Sequence, residues 1–199
     1  MQKLARDDLW SLEDYSERRP SFRAEVMAHK KRRQLMLGDH ARLYFEDATT
    51  IRYQVQEMLR IEKVFEAAGI EEELDAYNPL IPDGHNWKAT FMLEYPDVDE
   101  RQKKVVELVD IENTVWLSVG DEEKIFAIAD EDLERSDGER TSTVHFMRFE
   151  LTPSMRVAVK QGATIYAGVD HPNYTVKKFA IADAIRESLA ADIDAISVN

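Results

Sequence analysis

Apolar residues along the chain recur at two spacings, and the change from one spacing to the other lays out the elements. Trp87, Ala89, Phe91, Leu93 and Tyr95 alternate with Lys88, Thr90, Met92 and Glu94, the period of two expected of a strand buried on one face. Thr143 to Leu151 repeats the pattern, with His145, Met147, Phe149 and Leu151 on one face and Val144, Phe146, Arg148 and Glu150 on the other. Between about Thr50 and about Ala68 the spacing becomes helical. Steps of about 100° per residue place Ile51, Val55, Met58, Leu59, Ile61 and Phe65 on one stripe, and Gly69 stands in the usual position just past a helix end. Glu62 falls inside that stripe, so it is expected to be buried and paired with an arginine.

The remaining chain reads by its punctuation. Ser11 with Asp14 opens an N-terminal helix, the Arg19-Pro20 step interrupts it, and a second helix runs from about Ser21 to about Arg33. Gly38-Asp39-His40 joins two apolar runs as a hairpin. Asp97 and Glu100 frame a helix through about Val109, and Val115 to Val119 pairs with Lys124 to Ala129 across Gly120-Asp121. The acidic segment Asp130 to Arg140 reads as a loop. Thr152-Pro153 starts a short helix that Gly162 ends, Ala163 to Val169 is a final strand, and Ile181, Ile185 and Leu189 face a C-terminal helix inward. Strands that follow one another through turns and short helices predict an α+β fold with a mostly antiparallel sheet, N-terminal helices, one long core helix and a C-terminal helix. One domain is expected over 1–199, with 1–33 as a helical segment and 34–199 as a sheet with packed helices.

Composition narrows this picture. With 44% hydrophobic and 33% charged residues in 199, the chain can bury a core without staples. No cysteine is present, which removes disulfides, thiolate metal sites and iron-sulfur ligation by this chain. There is no signal-like apolar run and no stretch near the ~20 apolar residues of a membrane span, so the expected compartment is the cytoplasm. A net charge of −13 argues against nucleic-acid binding, and the cluster Lys30-Lys31-Arg32-Arg33 reads as a solvated helix face.

Candidate chemistry is sparse. Seven scattered glycines build neither a dinucleotide fingerprint nor a phosphate loop, and there is no haem signature, nucleophile elbow or paired-histidine helix motif. Glu25 and His29 lie one helical turn apart but read as surface neighbours, and His145 reads as a hydrogen-bonded core histidine. Three polar places remain: Tyr53, Glu57, Arg60 and Glu62 on the long helix, the Pro-Asp-Gly-His loop ending at His85, and Asp170-His171 after the last strand. Brought together, His85, His171 and Glu57 would suit a divalent metal or an acid/base pair, the only cofactor class these residues point to.

Several segments carry a family likeness: Arg19-Pro20 with Phe22-Arg23, Phe45-Glu46-Asp47, Tyr53 to Arg60, Glu73 to Pro82, His145-Phe146 with Arg148 to Leu151, and Asp170-His171-Pro172. Through them the chain resembles an uncharacterised bacterial family, the domain of unknown function family 3501. The resemblance implies a link to rubrerythrin-like and iron-sulfur oxidoreductase proteins as partners. The expected function is an accessory protein that binds such a partner in a redox or oxidative-stress system, with or without a metal. The alternative is a small metal-dependent or acid/base enzyme using His85, His171 and the helix carboxylates.

Overall fold

Each alternating strand has one apolar face to hide, and two antiparallel sheets solve this by hiding their faces against each other. A computed structural model describes residues 3–194. In chain order the elements are α1 (Leu12–Lys30), β1 (Gln34–Leu37), β2 (Ala41–Glu46), α2 (Ala48–Glu62), α3 (Ala67–Tyr77), β3 (Asn86–Leu93), α4 (Val98–Glu107), β4 (Val115–Val119), β5 (Ile125–Phe126), β6 (Ile128–Ala129), β7 (Val144–Glu150), α5 (Pro153–Lys160), β8 (Ile165–His171), β9 (Tyr174–Ala180) and α6 (Asp183–Ala191). One sheet has the order β1-β2-β3-β7-β6 and the other β5-β4-β8-β9. The fold is α+β.

Register follows the alternation. Phe45 lies opposite Ala89, and across the next ladder Trp87 opposes Phe149 and Phe91 opposes His145, so every inward residue meets an inward partner. These side chains share a core with Val115, Leu117 and Val119 of β4 and Ile165, Ala167 and Val169 of β8, closed by Met155 and Val159 of α5 and Leu189 of α6. The Trp87 indole donates to the Leu189 carbonyl at 2.9 Å, which fixes α6 to the sandwich. The helices α1, α2 and α3 form a separate layer with two small cores of their own, one around Ile51, Val55, Leu59 and Leu74 and the other around Tyr15, Phe22, Val26 and Tyr53. Among the described residues no helix is long and apolar enough to cross a membrane.

Five readings change. First, α1 continues through Pro20, where two helices were expected. Pro20 and Ser16 are both exposed, so the carbonyl freed by the missing N–H reaches water while Tyr15, Phe22 and Val26 hold one axis from the other side. Second, the expected long helix is two helices. Lys63 takes a left-handed conformation at φ 56°, and the Val64 amide closes back onto the Leu59 carbonyl at 3.0 Å. The chain turns so that Leu74 can join Ile51, Val55 and Leu59, and Gly69 lies inside α3.

As a consequence Glu62 is exposed at a helix end and is not the buried, paired carboxylate expected; Ile61 and Phe65 are exposed with it. Third, the expected strand Lys124 to Ala129 splits at Ala127, with β5 pairing β4 in one sheet and β6 pairing β7 in the other. Fourth, β8 continues into β9, an additional strand. Fifth, Arg33 is not solvated. Its guanidinium is buried, pairs with Asp192 at 2.5 Å and donates to the Phe45 and Glu46 carbonyls.

Candidate functional site

The helical layer carries a place where large apolar side chains reach the surface around a groove. Helix α2 ends at Lys63 because the backbone turns there, and this leaves Ile61 61% and Phe65 68% exposed. Leu9 and Leu12 approach from the N-terminal segment, Leu59 and Val64 from the end of α2, and Ile70 from α3, enclosing a groove of about 540 Å³ with Arg6, Asp7, Trp10, Ser11 and Phe65. The N-terminal segment is held in place by polar clamps. The Trp10 amide donates to Gln56 Oε1 at 2.7 Å, and the Leu4 amide to Asn78 Oδ1 at 2.8 Å. Trp10 in turn stacks beneath the Arg52 guanidinium at 4.0 Å and meets Phe22 edge-on at 5.0 Å. Burial lowers the Arg52 pKa, as expected of a guanidinium taken partly out of water.

One turn away sits the polar cluster expected on the long helix. Glu57 accepts from Arg19 Nε at 2.7 Å and Arg19 Nη2 at 2.9 Å, from the Tyr15 hydroxyl at 2.6 Å and from Arg60 at 3.4 Å. Arg19, against the opposing effect of burial and with help from Tyr15 and Arg60, holds the Glu57 carboxyl down at about 2. Burial and the bond to Glu57 push the Tyr15 phenol up. Tyr53 lies in the aromatic core beside Tyr15 and Phe22. Glu57 and Arg60 are therefore brought together. Through its bonds to Tyr15 and Arg19 of α1, Glu57 braces the two helices, with Arg60 at its edge.

The other predicted residues lie on different elements. His85 is exposed just before β3, its amide donating to Asp83 Oδ1 at 2.9 Å. His171 is buried at the end of β8 with both ring nitrogens engaged by backbone: Nε2 with the Val109 carbonyl at 3.0 Å, and Nδ1 accepting from the Asn173 amide at 3.2 Å. Asp170 meets Lys124 at 2.6 Å and the Trp116 indole at 2.9 Å; burial opposes these bonds, which nonetheless bring its pKa below the usual value. Among the described residues the group of histidine and carboxylate side chains close enough to share an ion is Glu112, Asp130 and His145, so His85, His171 and Glu57 are not assembled as a metal site. Likewise His29 bonds Asp47 at 2.5 Å in place of Glu25.

The Glu112, Asp130 and His145 group joins three elements. The fully buried His145 of β7 faces Asp130 Oδ2 with Nδ1 at 2.6 Å, while its Nε2 faces Thr141 Oγ1 at 2.9 Å, the Ser142 carbonyl at 3.0 Å and Glu112 Oε2 at 3.8 Å. Thr141 also reaches Glu112 Oε2 at 3.0 Å. Asp130 itself is in a left-handed conformation, φ 54°, that aims its carboxylate inward, and Arg135 from the same loop caps it at 3.2 Å. Sequence reading identified His145 as a hydrogen-bonded core residue and missed its two carboxylates. Glu112 lies in a 3₁₀ turn and Asp130 in a loop, where no periodicity marks a side chain as buried.

Together these features define a two-sheet α+β protein with an N-terminal helical layer that presents an apolar groove. The chain belongs to the family described as protein of unknown function (DUF3501), whose profile matches residues 3–193. It is similar to a crystal structure of a novel protein of unknown function from Burkholderia pseudomallei, with 51% identity and a TM-score of 0.93 over 97% of this chain and 100% of that one. No curated protein matches it.

Proposed function

We propose that the protein is a cytoplasmic accessory protein of a redox or oxidative-stress system that docks a rubrerythrin-like or iron-sulfur oxidoreductase partner on its helical layer. The observation that carries this reading is the exposure of Phe65, with Ile61 four residues before it, where Phe65 lines an apolar groove together with Trp10 and Arg6. Scattered apolar residues on a surface need no explanation, whereas large ones gathered at a groove with Trp and Arg have the composition of an interface centre. Covering a phenylalanine side chain alone releases about 1.5 to 3 kcal/mol of hydrophobic free energy, enough to anchor a contact. The redox setting rests on the family resemblance.

The enzyme reading built on His85, His171 and Glu57 is not carried further, since those groups stand on separate elements. The test is binding of the purified chain to a purified rubrerythrin-like protein and to an iron-sulfur oxidoreductase of the same organism. Phe65→Asp is expected to weaken the complex by tenfold or more, the loss typical of an interface anchor, with melting temperature unchanged because the residue is exposed. Absence of binding to either protein, or equal affinity of the variant, would remove the proposal.

A further inference from the structure

The buried cluster around His145 brings one imidazole and two carboxylates within reach of a single ion. Nδ1 faces the Asp130 carboxylate at 2.6 Å and Nε2 faces the Ser142 carbonyl at 3.0 Å. The Thr141 hydroxyl donates to Glu112 at 3.0 Å. Around Nε2 stand three oxygens, of Thr141, Ser142 and Glu112, at 2.9, 3.0 and 3.8 Å. Ligand atoms of Glu112, Asp130 and His145 all lie within 4.8 Å of one another.

The cluster is not sealed. Glu112 and Asp130 form the wall of a cavity of about 460 Å³ whose other carboxylates are Asp110, Glu134 and Asp137 and whose one lining cation is Arg135. Cations are concentrated by such a wall. The Glu112 carboxylate is 4% exposed, and only its Oε2 has a hydrogen-bond donor among the described residues, from Thr141.

The geometry points to a divalent first-row metal site on the Nε2 side of His145, ligated by that nitrogen and by Glu112, with Asp130 holding the opposite ring nitrogen. With the ring in the tautomer protonated at Nδ1, the Nε2 lone pair goes to the metal. The Asp130 carboxylate keeps accepting from Nδ1–H, the outer-shell arrangement that fixes the tautomer of metal-bound imidazole. Thr141 Oγ1 and the Ser142 carbonyl are neutral oxygen donors on the same side, and water from the cavity completes the shell. One imidazole among oxygens selects the manganese, iron and zinc class over the soft, thiolate-seeking ions. This inference is independent of partner docking, which uses the helical layer.

The full chain, stripped with EDTA and dialysed, is titrated calorimetrically with Mn²⁺ and separately with Zn²⁺. One ion per chain is expected for at least one of the two metals. Replacing the fully buried His145 risks the fold, so the variant is Glu112→Gln, whose amide oxygen still accepts from Thr141. It is expected to weaken binding by roughly tenfold or more while its melting temperature in EDTA matches that of the wild type. Two results overturn the site: no binding of either metal by about 1 mM, the weak end of protein cation sites; or binding unaffected by Glu112→Gln.

Discussion

At the scale of single residues, the charges that matter are those the fold has withdrawn from water, and each has its own pH signature. Glu57 has a folded pKa of about 2 against an ordinary 4.5, because Arg19 and Tyr15 bond its ionised form. Its contribution is therefore present above about pH 4.5 and is lost as pH falls towards 2. Glu57→Gln is expected to cost about 1 to 2 kcal/mol at neutral pH after allowance for solvent screening, with the difference from wild type closing below pH 4. A denaturant-unfolding series across pH checks this; a difference that stays constant with pH would contradict it.

Asp192 behaves in the opposite sense. Burial outweighs the Arg33 pair and raises it from 3.8 to about 6, so its contribution is present below about 3.8 and is lost as pH rises through 6. The stability of wild type relative to Asp192→Asn should accordingly fall between pH 4 and 6 and level off above. Neither carboxylate could be ranked from the sequence. His145 was legible as a core residue because strand alternation fixes its face, but Arg33 was not, since its burial depends on Asp192, 159 positions away along the chain.

At the scale of elements, periodicity locates strands and helices well and their breaks poorly. The alternating segments that became β3 and β7 were legible almost residue by residue, because a slip of one position would turn every apolar side chain outward. The break between α2 and α3 was not, because neither glycine nor proline marks it and the apolar spacing runs on through it. What decides the break is tertiary, the return of Leu74 to the core of α2. A lysine in the left-handed region is a local cost that glycine would not carry. Lys63→Gly, which keeps the turn, is expected to raise stability by up to about 1 kcal/mol, read as a higher denaturation midpoint. A lower midpoint would mean that the Lys63 side chain holds the turn. Strand β9 escaped notice for a related reason: Thr175, Lys177 and Lys178 are exposed on a sheet edge, where lysines discourage pairing with another chain and dilute the apolar signal.

At the scale of the whole molecule, the two sheets share one core, and the three N-terminal helices form a layer with separate cores and the groove at its end. The α+β class and the antiparallel pairing were legible because they follow from the order and spacing of apolar runs. The groove was not, because Ile61 and Phe65 read as inward residues until the helix break turns them out. The most direct test of the account is amide hydrogen exchange of the full chain with and without an equimolar rubrerythrin-like partner. Docking on the helical layer predicts slowed exchange from Arg6 to Leu12 and from Leu59 to Ile70, the two segments that line the groove. Slowed exchange confined to the edge strand β9, or none anywhere, would contradict it.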